Sequence, residues 1–124
     1  MDIKSFRDLD VWQKSIQLVK RIYITTQKYP KEETYGLINQ MRRAAVSIPS
    51  NIAEGKSRQS KNEYIQFIYI SLGSASELET QITISKELEY IGKDTEKELL
   101  EEIDHTSRML RNLIKGLRTS GSYS

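Results

Sequence analysis

The sequence predicts an all-α protein, folded as an antiparallel up-and-down four-helix bundle. Apolar residues recur at three- and four-residue intervals in four segments, and no useful stretch shows strand-like alternation. Prolines, glycines and capping patterns fall where such segments start, bend or stop, and the connections between them are mostly short.

The first helix is expected over about residues 9–28. Leu9, Trp12, Ile16, Val19, Tyr23 and Thr26 share one stripe, and Tyr29 before Pro30 ends the run. The second is expected from Pro30 to about Gly55, with Glu32 and Glu33 at the positive end of its dipole. Its stripe is Leu37, Met41, Ala44, Ile48 and Ile52. Pro49 removes one backbone bond inside it, which leaves two readings: one kinked helix, or two helices broken at Ile48. The stripe keeps its phase past Pro49, so the kinked helix is preferred, with residues 55–59 as the turn.

The third helix opens on the capping box Ser60-Lys61-Asn62-Glu63 and is expected to close at Gly92. Its stripe is Tyr64, Ile68, Ser71, Ala75, Leu78, Ile82 and Ser85. The small residues 73–76 leave room for a close neighbour. The fourth opens on Thr95-Glu96-Lys97-Glu98 and aligns Leu99, Ile103, Thr106, Leu110, Leu113 and Leu117. Arg111, Lys115 and Arg118 near its end suit the negative end of the dipole.

A chain of 124 residues can bury one core without cross-links. There is no cysteine, which excludes disulfides and thiolate metal sites and fits a reducing compartment. One domain over residues 1–118 is expected, with a flexible tail at 119–124. No signal-like start is visible, and the apolar-rich stretch 64–72 is too short to span a bilayer. A cytoplasmic protein with no membrane association is expected.

Self-association is expected as well. Between residues 64 and 72 only Gln66 and Ser71 are polar, so apolar side chains wrap the whole helix. Ile65, Phe67, Tyr69, Ile70 and Leu72, with Val11 and Leu18 outside the first helix's stripe, form the expected subunit interface. The competing reading is that scattered surface hydrophobes are ordinary.

Catalytic chemistry finds little support. His105 is the one histidine, and Glu102 and His105 give a single Glu-x-x-His where a di-iron bundle needs two. There is no Gly-x-Ser-x-Gly elbow and no phosphate-binding glycine loop. The Arg-x4-6-His spacing of some helical ribonucleases is absent too. Glu54, just after Pro49, reads better as structural than as a ligand. No enzyme, metal or cofactor is expected.

Charge is uneven despite a net +2. Residues 1–62 hold 12 Lys and Arg against 6 Asp and Glu, and residues 63–124 hold 7 against 11. Arg7, Lys14, Arg21 and Lys28 recur every seven residues, and the last three are expected on the outer side of the first helix with few intrahelical partners. With Lys20, Arg42, Arg43, Lys56 and Arg58 they form a candidate phosphate-binding surface for nucleic acid. The competing reading is that they keep the protein soluble.

The segments 6–13 and 29–37, and above all Gln40-Met41-Arg42-Arg43-Ala44-Ala45-Val46-Ser47-Ile48-Pro49-Ser50-Asn51-Ile52-Ala53-Glu54-Gly55, resemble the four-helix-bundle proteins encoded within intervening sequences of bacterial 23S ribosomal RNA genes. Residues 73–79 are similar to the same family's third helix. The resemblance covers residues 6–117. It implies an up-and-down bundle assembling into a ring, a homopentamer in known cases, with no established enzymatic activity. A remoter likeness is to the basic accessory protein of diversity-generating retroelements, which binds nucleic acid and a reverse transcriptase. Two functions compete: an RNA-binding oligomer, and a scaffold for a protein partner.

Overall fold

The computed structural model describes residues 5–119. A single 3-10 turn, Phe6–Asp8, leads into α1 (Asp10–Thr26). A second such turn, Lys31–Glu33, precedes α2 (Leu37–Lys56), followed by α3 (Lys61–Glu87) and α4 (Lys93–Thr119). Each helix packs on its chain neighbour, and α4 closes back on α1. With short connections this is an up-and-down bundle. Residues 120–124 of the expected tail lie outside the described residues, and Thr119 is the last residue of α4.

α2 and α3 bury the stripes their spacing predicts, and α4 does so as far as Leu110, beyond which Ile114 is buried and the expected Leu113 and Leu117 are only partly covered. Met41, Ala44, Ile48 and Ile52 of α2 meet Tyr64, Ile68, Ala75, Leu78 and Ile82 of α3, and Leu99, Ile103 and Leu110 of α4, in one core. α1 differs. It buries Val11, Ser15, Leu18, Ile22 and Thr26, whereas Ile16 and Tyr23 are exposed and Trp12 and Val19 only partly covered. The helix is turned by about a quarter revolution from the expected phase. In this phase Ser15 and Thr26 lie in the core. Their hydroxyls donate to the carbonyls of Trp12 at 2.7 Å and Ile22 at 2.8 Å, so neither is left unpaired.

α2 runs continuously through Pro49. Beside the missing N–H, the Ser47 carbonyl receives Asn51 Nδ2 at 2.8 Å and the Ile48 carbonyl receives the buried Ser71 hydroxyl at 2.9 Å. Ser74 Oγ donates to Ser47 Oγ at 2.8 Å, extending this polar seam between α2 and α3. Pro30 begins a separate turn rather than α2 itself.

The third helix closes earlier than Gly92. Tyr90 N–H reaches the Ser85 carbonyl at 2.9 Å and Glu89 N–H the Lys86 carbonyl at 3.0 Å, the Schellman pattern. Glu89 holds the left-handed position, with φ of 64°. Glycine adopts that conformation without the Cβ penalty, so Glu89→Gly is expected to gain about 0.5–1 kcal/mol, read as a higher urea midpoint. Ser60 does cap α3, accepting Glu63 N–H at 3.0 Å. Thr95 lies inside the first turn of α4 rather than capping it.

The end of the bundle that holds these two connections is fastened by Tyr90, whose hydroxyl donates to Glu33 Oε2 at 2.8 Å, while Glu33 Oε1 accepts Leu37 N–H at 3.1 Å. The Tyr29 ring packs against Tyr90 at a tilt of 50°, with centroids 5.2 Å apart. Its buried hydroxyl lies beside Ser85, whose own proton goes to Gln81, and burial raises the Tyr29 pKa. The Leu37 N–H and the Tyr90 hydroxyl hold Glu33 below its ordinary 4.5, and Glu33 pushes Tyr90 above its ordinary 10.0. Glu33 therefore favours the folded state above its ordinary pKa, and that contribution is lost as pH falls through the lower folded value. The Tyr90 contribution is complete below 10.0 and is lost as pH rises through its higher folded value. Tyr90→Phe is expected to flatten the alkaline limb of a stability–pH profile and weaken the acid one.

Candidate nucleic-acid interface

The rotation of α1 redirects the heptad of cations. Lys14 and Arg21 lie on the flank facing α4, not on the outer side. Arg21 bonds Glu102 at 2.8 Å and Glu98 at 3.3 Å, and Lys14 Nζ lies 3.7 Å from Glu102. These pairs join α1 to α4 and leave little charge for phosphates. The double reversal Lys14→Glu/Arg21→Glu sets four carboxylates along one seam. It is expected to lower the unfolding midpoint by several degrees, and the fall should shrink as salt screens the repulsion. Lys20 and Lys28 are exposed.

Arg42 is also built into the fold. Its guanidinium stacks 4.4 Å above the Tyr23 ring, with Nε donating to Thr26 Oγ1 at 3.0 Å and Nη2 to the Tyr23 carbonyl at 3.3 Å. It thus serves the last carbonyls of α1. Arg43 is exposed. Arg7 lies over Phe6 and Trp12, Lys56 over Tyr64, and Arg58 over Phe67 while paired with Glu54 at 3.2 Å. Glu54 is accounted for by that pair and by Ser57.

The fold brings Arg7, Lys56 and Arg58 to one end of the bundle, where α1 starts, α2 turns into α3 and α4 finishes. Arg111, Lys115 and Arg118 of α4 arrive at the same end, and residues 107–119 contain no acid at all. Helical position alone marks these three only as partners of the α4 dipole. The available signal was that acid-free run, four cations long with Arg108. The opposite end is mixed, with Glu87, Glu89, Asp94 and Glu96 interleaved with Lys86, Lys93 and Lys97.

The expected subunit interface is corrected in part. Val11, Leu18 and Ile65 are 5, 0 and 6% exposed and belong to the chain's own core, so they have almost no surface left to bury. Phe67 and Leu72 are half-buried, and Tyr69 and Ile70 are exposed. Outward apolar surface also includes Ile16, Tyr23 and Ile24 of α1, Val46 of α2, and Ile84 of α3 with Leu88 just beyond it. His105 is exposed. Among the described residues no three His, Asp or Glu side chains gather as a metal site, and no helix is long and apolar enough to cross a membrane.

Fold and charge together define a small up-and-down helical bundle with one cation-rich end. The chain belongs to the 23S rRNA-intervening sequence protein family, which it matches over residues 7–112. Among solved structures it is similar to a protein of unknown function from the S23 ribosomal protein family of Bacteroides thetaiotaomicron VPI-5482. The two are 25% identical, with a TM-score of 0.76, over 85% of this chain and 98% of that one. No curated protein sequence matches.

Proposed function

We propose that this chain is a non-catalytic, cytoplasmic, self-associating bundle that binds RNA through its cation-rich end. The gathering of cations at one end carries the reading. Several of them rest on aromatic rings, and the acid-free end of α4 adds three more, an arrangement that suits phosphates. The family name, which refers to 23S rRNA intervening sequences, makes RNA the first nucleic acid to try.

Self-association is supported by apolar surface on two sides. α1 exposes Ile16, Tyr23 and Ile24, and α3, which packs on α2 and α4, exposes Ile70 and Ile84. Distinct patches on different sides of a subunit make the head-to-tail contact that closes a ring. Five subunits is the number the family resemblance suggests.

The test uses nuclease-treated protein, its mass from light scattering and the anisotropy of a labelled RNA titrated against salt. A mass of several subunits is expected, with RNA affinity falling at least about tenfold between 50 and 200 mM salt. A monomer, or no RNA binding at 0.1 M salt, overturns the corresponding half. The exposed apolar surface favours a second reading, a scaffold for a protein partner, which would bind that partner and no RNA.

A further inference from the structure

Resting on the RNA-binding reading, we infer that the cleft between α3 and the end of α4 holds an unpaired nucleotide of a single strand, base inward and phosphates on its rim. The cleft has a volume of about 480 Å³. Tyr69, Leu72 and Ile114 supply apolar surface, and Arg111, Lys115 and Arg118 stand around it. Arg118 Nη2 donates to Tyr69 Oη at 2.7 Å, and its guanidinium lies 5.6 Å from the ring centroid. An aromatic ring and a planar cation are thereby held beside one opening.

The three cations follow i, i+4, i+7 spacing and so share one helix face over about 10 Å of axis. Among the described residues no ion pair engages Arg111, Lys115 or Arg118. Residues 107–119 carry no acid, and α3 contributes Glu63 alone between residues 61 and 76. The field at the cleft is therefore strongly positive and favours an anion.

A flat apolar floor beneath such a rim discriminates between forms of nucleic acid. A duplex offers phosphates to the rim but keeps its bases stacked away from the floor. A single strand offers both, and stacking one base on an aromatic side chain strengthens binding substantially without a sequence requirement.

The test titrates the intact protein into a labelled 12-nucleotide RNA carrying one 2-aminopurine, and into the blunt duplex of the same sequence. The single strand is expected to bind at least about tenfold more tightly than the duplex, with a change in 2-aminopurine fluorescence. Tyr69→Ala is expected to weaken binding about tenfold and abolish that change, while Tyr69→Phe keeps both. Arg111→Gln/Lys115→Gln should reduce the slope of log affinity against log salt by about 1–2. All four proteins are checked by helical content and by mass, so loss of fold or of assembly is separately visible. Equal affinity for duplex and single strand overturns the inference, as does wild-type binding by both Tyr69→Ala and the double variant; RNA binding itself would then stand, on another surface of the protein. Absence of RNA binding by the unmutated protein overturns both.

Discussion

Leu18→Ala is expected to lower the unfolding free energy by about 2–5 kcal/mol, and Ile16→Ala by less than about 1 kcal/mol. The two residues are alike in size and lie two positions apart on α1, yet Leu18 is fully enclosed and Ile16 is 42% exposed. Removing the Leu18 side chain strands a void in the bundle core, whereas the space left at Ile16 fills with water. Urea unfolding followed by circular dichroism measures both. A larger loss at Ile16 at every protein concentration would mean that α1 is turned the other way. A larger loss that appears only as concentration rises would mean that another subunit covers that face.

The contrast at α1 shows what apolar spacing conveys and what it does not. For α2, α3 and α4 as far as Leu110 the buried positions follow the apolar spacing, whereas past Leu110 the core takes Ile114 in place of Leu113 and Leu117. α1 carries two candidate stripes. One is rich in large side chains, Trp12, Ile16, Val19 and Tyr23. The other holds Val11, Ser15, Leu18, Ile22 and Thr26. Hydrophobicity favours the first, but the second is the one buried, and its small hydroxylated members are satisfied within the helix. Once the phase is wrong, the cations go wrong with it: Lys14 and Arg21 move from the outer side to the α4 seam. The acids that receive them, Glu98 and Glu102, lie some eighty residues away in sequence, where no helical periodicity reaches. The cation-rich end was harder still to see. It is assembled by topology from three separate segments, and only the acid-free end of α4 hinted at it locally.

Gly55→Val is expected to destabilise the protein by about 2–3 kcal/mol, whereas Gly73→Ala is expected to stabilise it by about 1 kcal/mol. Both glycines lie inside helices, where a side chain normally helps. At Gly55 a Cβ would stand 2.9 Å from Phe67 Cβ, 3.0 Å from Tyr64 Cδ1 and 3.2 Å from the Tyr64 carbonyl. Tyr64 is among the largest fully buried side chains and its carbonyl belongs to α3, so neither yields without moving a helix. Gly55 therefore sets the distance between α2 and α3 where both approach the cation-rich end, and opening that contact also displaces Lys56, Arg58 and Phe67. At Gly73 nothing lies within 4 Å of the same atom. The stripe of small residues expected to admit a neighbour admits none from this chain at that position. A gain for Gly73→Ala in thermal melts at low concentration is the outcome a bare outer face demands. If the same substitution instead lowers the melting point and the assembled mass, the bare face of α3 is where a second copy presses close, and glycine is kept there for that contact.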